Sequence, residues 1–183
     1  MTSKVANTEV AQPYAQALLS IAQSKSLTEE FGTDARTLLN LLAENQQLRN
    51  FIDNPFIAAE NKKALIKQIL SEASPYLRNF LLLLVDKRRI FFLEEILQQY
   101  LALLRQLNQT VLAEVTSAVA LTEDQQQAVK EKVLALTKAR QVELATKVDS
   151  DLIGGVIIKV GSQVIDSSIR GQLRRLSLRL SNS

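Results

Sequence analysis

The stretch DLIGGVIIKVGSQVIDSSIRGQLRRL, Asp151 to Leu176, decides how the second half of the chain folds and which functions are open to it. It carries paired glycines, a lysine and an arginine-bearing segment. These belong either to a phosphate cradle feeding an active site or to the corner of a small sheet. Val156, Ile158 and Val160 alternate with Ile157 and Lys159, the period of a strand, and Gly161-Ser162 then separates them from Val164-Ile165, a two-residue hairpin signature. A phosphate loop needs its glycines between a strand and a helix N-terminus, with the lysine at that junction. Here the glycines precede the strand and Lys159 lies within it. A sheet corner, where two backbones pass closely, fits better. Asp166-Ser167-Ser168 then supplies N-cap oxygens for a closing helix. Ile169, Leu173, Leu176 and Leu180 fall on one stripe of that helix, and Arg170, Arg174, Arg175 and Arg179 gather on the flank opposite.

Upstream, Val111, Ala113 and Val115 alternate with Leu112, Glu114 and Thr116, and Val142, Leu144, Thr146 and Val148 alternate with Glu143, Ala145 and Lys147. Both are strand patterns. Between them Thr122-Glu123-Asp124-Gln125 is a capping box opening a helix to about Lys138. Strand, helix, strand, hairpin, helix gives a small α+β unit.

The first half is made of different material. All six Phe and three Tyr, from Tyr14 to Tyr100, and all three prolines lie in the first 100 positions, while four of the five glycines lie between Gly154 and Gly171. The composition changes near residues 105 to 110, so the domain boundary is placed inside Gln106-Leu107-Asn108-Gln109, giving domains 1–107 and 108–183. Val10, Tyr14, Ala17 and Ile21 recur as the core stripe of a first helix, and Ala11, Ala15, Leu18 and Ala22 form a second side of mostly small residues that another helix can approach closely. Pro13 favours a start near Ala11-Gln12, because the first turn needs no proline N–H. Ser26 with Glu29 forms a capping box, and Leu38, Leu39 and Leu42 carry the stripe of the helix it opens. Asn54-Pro55 is a stop. Further helices span about Glu60 to Glu72, from Ser74-Pro75 through Val85, and Ile90 to Leu107 with Leu93, Ile96, Leu97, Tyr100 and Leu104 inward. Phe80 to Val85 makes the fourth of these stretches apolar around most of its circumference, so it is either central or partly covered by a partner. Lys62-Lys63 and Asp86-Lys87-Arg88-Arg89 read as helix-end and surface charges. Five or six short helices with brief connections make an all-helical bundle.

Composition narrows the chemistry. The chain has 183 residues, 46% hydrophobic and 22% charged, with net charge +3, the balance of a globular protein. It has no histidine and no cysteine, which removes Ser-His-Asp and Cys-His nucleophiles, thiol redox chemistry, disulfides and most zinc sites. Carboxylate pairs such as Glu29-Glu30 and Glu94-Glu95 are sequence neighbours that point to different faces of a helix, and Asp149/Asp151 sit in a turn, so paired acid/base work is unsupported. No catalytic residue, metal ligand or cofactor site is expected. The N-terminus has no continuous apolar run of signal type, and the longest apolar run, Phe80 to Val85, falls far short of the ~20 residues that cross a bilayer. An enzyme using Lys159 or carboxylates and a nucleic-acid-binding helical protein using the C-terminal arginine face remain as competing classes, the latter without an aromatic for base stacking.

Several stretches together resemble one family. They are Ala11-Gln-Pro-Tyr-Ala-Gln-Ala-Leu18, Asn54-Pro-Phe-Ile57 with Lys62-Lys63, Phe80 through Ile90, Glu114 to Ala118, and Ile153-Gly-Gly-Val-Ile-Ile-Lys-Val160 through Val164-Ile-Asp-Ser-Ser-Ile169. In this order they resemble the delta subunit of F-type ATP synthase, whose mitochondrial counterpart is the oligomycin-sensitivity-conferring protein. The resemblance covers nearly the whole chain. It implies an all-α N-terminal six-helix bundle plus a small α+β C-terminal domain, in a non-enzymatic stator connector. The bundle would grip the N-terminal helix of an alpha subunit of the catalytic head, in a groove lined by Tyr14, Ala15, Leu18 and Ile21 facing Asn79, Leu82, Leu83 and Asp86. The C-terminal domain would bind the peripheral-stalk b subunits, with Gly154, Gly155, Ile157, Lys159, Ile169, Arg170 and Leu173 as candidates. The implied setting is the cytoplasmic face of an energy-transducing membrane, plasma membrane or thylakoid, with attachment only through the complex.

Overall fold

The computed structural model describes residues 2–70, 74–137 and 139–181, and the side-chain surroundings of 9–70, 74–137 and 139–175. Two compact units divide the chain, Met1–Leu104 and Arg105–Ser183. The first is helical: α1 (Thr2–Ser24), α2 (Thr28–Glu44), α3 (Gln46–Asp53), α4 (Ala59–Ile69), α5 (Pro75–Asp86), then a 3-10 turn at Ile90–Phe92 leading into α6 (Leu93–Leu107).

Helix α1 begins at Thr2, not near Ala11-Gln12, and holds Pro13 in its interior. A proline there leaves the carbonyl four residues back, that of Glu9, without its helical donor. Pro13 and Glu9 are both exposed, so the freed carbonyl is open to solvent and the helix continues. The two apolar sides of α1 are also exchanged relative to expectation. Ala11, Ala15, Leu18 and Ala22 have no exposed area, whereas Val10, Tyr14 and Ile21 are half-buried and Ala17 is exposed. Small side chains shorten the distance between packed helices, and the bundle itself uses the alanine stripe for that purpose.

Ser26 does not open α2. Its φ is 57°, Ser26 N–H donates to Gln23 O at 3.2 Å and Leu27 N–H to Ala22 O at 2.8 Å, the paired bonds of a left-handed helix C-cap. The Ser26–Glu29 capping box is therefore absent: Ser26 closes α1, and α2 starts at Thr28 without a side-chain cap. Helix α5 ends in the same way, with Arg88 at φ 56°, Arg88 N–H on Val85 O at 3.0 Å and Arg89 N–H on Leu84 O at 2.7 Å. A break that the leucine pattern hides falls at Asn45, whose side chain accepts from Leu48 N–H at 2.9 Å and starts α3. Proline heads α5 as expected, although Ser74 makes no side-chain cap bond. The expected end of α4 at Glu72 lies outside the described residues.

Helix α6 closes this unit against α2. Tyr100 has no exposed area and its hydroxyl donates to Thr28 O at 2.9 Å. Burial, helped by the nearby charge of Glu29, pushes its pKa up to about 12. A Cβ on Gly32 would stand 2.6 Å from Leu104 Cδ2, so α2 and α6 approach as closely as a missing side chain permits. Lys62 is not a surface charge. It is buried, its ammonium donates to Ile52 O, and burial lowers its pKa against the opposing pull of Asp53.

The second unit holds β1 (Thr110–Ser117), α7 (Glu123–Thr137), β2 (Gln141–Val148), a 3-10 turn at Ser150–Leu152, β3 (Val156–Val160), β4 (Gln163–Asp166) and α8 (Ile169–Ser181). The expected end of α7 at Lys138 lies outside the described residues. The sheet order is β2-β1-β3-β4. β1 and β2 are parallel, with Thr110 opposite Gln141, which requires a crossover connection; α7 provides it. β3 runs antiparallel to both neighbours, with Ile158 opposite Val115 and Ile165. The expected capping box forms: Gln125 N–H donates to Thr122 Oγ1 at 3.4 Å, and Thr122 N–H to Gln125 Oε1 at 3.0 Å. Ala113, Val115 and Ile158 pack with Val129 and Val133 of α7. By strand alternation Glu114, Lys159 and Val164 lie on the other face, where all three are exposed. The whole is a predominantly helical chain with a small C-terminal α/β part.

Candidate docking surfaces

Helices α1 and α5 pack on each other in the first unit. Lys25, just past the end of α1, sits 5.2 Å from the Tyr76 ring near the start of α5, so the two run in opposite directions. Leu77, Phe80, Leu81, Leu84 and Val85 turn α5 inward. What remains outside is a stripe at helical spacing, Asn79, Leu83 and Asp86, all exposed, with half-buried Leu82 as its shoulder. Leu83 keeps 47% of its area exposed although it lies within a run of core residues. On α1, Tyr14 and Ile21 lie half-buried at the edge of the same core. Ala15 and Leu18, expected beside them in a groove, are instead wholly inside it, because the small-residue stripe faces the bundle. Asp86 is held by Lys63 at 2.6 Å, which raises the lysine's pKa through that hydrogen bond.

The stalk candidates fall into two groups in the second unit. Gly154, Gly155 and Ile169 meet at one corner, where Ile169 N–H donates to Gly154 O at 3.0 Å. Gly155 has φ +79°, and a Cβ there would stand 2.4 Å from Ser167 O; only glycine fits both conditions. Ser168 caps α8: its Oγ accepts from Gly171 N–H at 3.0 Å and donates to Asp166 Oδ1 at 2.6 Å. Those bonds from Ser168 hold the Asp166 carboxyl below its usual pKa. From this corner Ile169, Arg170 and Leu173 project into solvent on the first turns of α8. Ile157 and Lys159 belong to the sheet face opposite α7, where Lys159 pairs with Glu114 at 3.0 Å across the β1–β3 register. Arg174 and Arg175 are exposed as well, while the side chains of Leu176, Arg179 and Leu180 lie outside the described ones.

Sequence reasoning passed over Ile153 and Val164. Ile153 is 68% exposed with φ 65°, an unusual backbone for a β-branched residue, and Val164 is 61% exposed opposite Lys159. The signal for Val164 was present in the strand alternation, but no pattern marks Ile153 as exposed. Among the described residues no group of three or more carboxylates could hold a metal ion, and no helix is long and apolar enough to cross a membrane.

Comparison with known proteins places the chain as a whole. Residues 10–180 fit the family model described as ATP synthase delta (OSCP) subunit. An ATP synthase subunit delta from Nostoc sp. is 98% identical over the full length of both chains, and one from Nostoc punctiforme is 80% identical, again over the full length of both. The fold is similar to a chain in the cryo-EM structure of the Toxoplasma gondii mitochondrial ATP synthase hexamer, with TM-score 0.72 and 24% identity over 93% of this chain and 96% of that one. With the family model spanning nearly all of the sequence and full-length relatives this close, the chain belongs to the ATP synthase delta (OSCP) subunit family.

Proposed function

We propose that this chain is the stator connector of a proton-translocating F-type ATP synthase, joining the alpha/beta catalytic head to the peripheral-stalk b subunits and doing no chemistry of its own. Its N-terminal domain, taken as the family's six-helix bundle over residues 1–107, holds the N-terminal helix of an alpha subunit between α1 and α5. Tyr14 and Ile21 form one wall, Asn79, Leu82, Leu83 and Asp86 the other, and Ala15 and Leu18 support the floor from inside the core. The C-terminal domain, taken as residues 108–183, holds the b subunits through Gly154, Gly155, Ile157, Lys159, Ile169, Arg170 and Leu173. No cofactor and no nucleic acid takes part. Contact with the membrane, on its cytoplasmic face, runs only through the complex.

The observation that supports this reading best is Leu83, half exposed between Asn79 and Asp86 in the middle of a core helix. With Leu82 as its half-buried shoulder, it is the kind of apolar position that a helix-in-groove interface leaves open for the incoming helix. The mechanism is mechanical. Rotor torque changes the catalytic sites only if the head is kept from turning, so the connector must hold both partners tightly while converting nothing. The test is calorimetric titration of the full chain with a synthetic alpha-subunit N-terminal peptide. Micromolar or tighter binding is expected, lowered at least tenfold by Leu83→Glu with helical circular dichroism unchanged. A wild-type chain that does not bind this peptide at micromolar concentration overturns the groove.

A further inference from the structure

We propose that Ile153 is an anchor residue of the C-terminal docking surface, held on a strained backbone that keeps its side chain in water until an acidic, amphipathic stalk helix covers it. This rests on the reading that the C-terminal domain holds the b subunits.

Ile153 has φ 65° and ψ −38°, away from the extended and right-handed regions and off the small left-handed one. A β-branched residue is strained there. The chain clamps that backbone from both sides. Upstream, Asp149 Oδ1 accepts from Asp151 N–H at 3.0 Å to start the 3-10 turn, Leu152 is buried, and Ile153 N–H donates to Ser150 O at 3.2 Å. Downstream, Gly154 O accepts from Ile169 N–H at 3.0 Å.

No packing within the unit offsets the strain. Ile153 is 68% exposed and stands outside the core of this unit, whereas its neighbour Leu152 is 5% exposed and already fastens the turn. Glycine would take the same backbone without strain and would put no apolar side chain in water. An isoleucine at this position is therefore explained by a contact outside the chain. Its surroundings favour such a contact. A Cβ on Gly154 would stand 2.7 Å from Ile169 Cδ1, so Ile169 lies against the residue next to Ile153. Ile169 is itself open, as is Leu173 one helical turn further on.

The same corner sets the partner's chemistry. From Ser167 to Ser183 the sequence carries four arginines and no carboxylate, and Arg170 and Arg174 are exposed on the first turns of α8. A segment that sets carboxylates beside aliphatic side chains complements these features. Ile153 N–H and Gly154 O are already bonded within the chain, so the partner engages through side chains, as a helix does, and not by strand addition.

The experiment follows amide exchange in β3 of the full chain, and its binding to a recombinant water-soluble segment of the b subunits, for the wild type, Ile153→Gly and Ile153→Val. Glycine removes the side chain and the strain together; valine keeps the strain and most of the apolar contact. Ile153→Gly should exchange no faster than the wild type, because strain relief offsets glycine's greater freedom in the unfolded chain, and should bind the segment at least about tenfold more weakly. Ile153→Val should bind within about fivefold of the wild type. Binding by Ile153→Gly as tight as the wild type's overturns the anchor. Much faster β3 exchange in Ile153→Gly overturns it too, since the side chain would then be holding this unit together. A wild-type chain that does not bind the segment refutes the stalk reading itself, and the anchor with it. Self-association of the wild type in sedimentation that Ile153→Gly abolishes assigns the residue to a second copy of this chain and likewise overturns the proposal.

Discussion

The two units bury their apolar residues to very different depths. Among the described residues the first has a continuous core from Ala11 to Leu104 and leaves Phe56, Tyr76, Leu83 and Phe91 exposed at its surface. The second has a thin core of Ala113, Val115, Val129, Val133 and Ile158, and leaves Val148, Ile153, Val164, Ile169 and Leu173 largely in solvent. On the proposed reading, the thick core keeps the first docking surface fixed, while the thin one leaves the second unit more apolar area to gain from a covering partner, which couples its stability to binding.

The largest test of this contrast is at α1. Ala15→Arg forces a long cation into a position with no exposed area and should cost about 4 kcal/mol or more, unfolding the first unit in a urea titration. Leu83→Glu, on the open stripe, should leave that titration almost unchanged and remove peptide binding. If Ala15→Arg folds normally, the exchange of the α1 faces is wrong.

Next in size is alkaline pH. The folded Tyr100 pKa of about 12 lies above the ordinary tyrosine value of 10.0, so its contribution is fully present below pH 10 and is lost as pH rises toward 12. The shift corresponds to about 3 kcal/mol, drawn from the first unit. Unfolding followed by circular dichroism between pH 9 and 12 should show this loss, and Tyr100→Phe should reduce its steepness.

In the second unit Gly155→Ala meets Ser167 O with an unfavourable φ and should cost about 2 kcal/mol. Amide exchange should quicken in β3 and stay the same in α6; equal quickening in both would mean that the units unfold together. The smallest effect belongs to Lys159. Its pair with Glu114 is more than half exposed, so Lys159→Ala should change stability by less than about 0.5 kcal/mol. A marked drop in b-subunit binding by the same variant would place the sheet face, and not only the α8 corner, in that contact.

Much of this was legible in the sequence, and the failures share a cause. The Gly161-Ser162 hairpin, the Thr122 capping box and the inward leucines of α6 follow from local chemistry and stand in the structure. The faces of α1 do not, because hydrophobicity ranks Tyr14 and Ile21 above alanine, whereas close helix packing selects the smaller residue. Ser26 misleads for a related reason: a serine before an acidic turn suits a helix start, but here hydrogen bonding from the preceding helix claims it first. The α8 stripe was visible as a pattern, yet no pattern says whether a stripe is covered. Ile169 and Leu173 are left open, and that is a property of the tertiary structure.

The order β2-β1-β3-β4 has a consequence during synthesis. β1, one of the two inner strands, is the first of the four to leave the ribosome, and its partners, residues 141–148 and 156–160, follow only after α7. Until then both edges of β1 are bare templates for another strand, which makes the nascent second half the segment of this chain most in need of a chaperone.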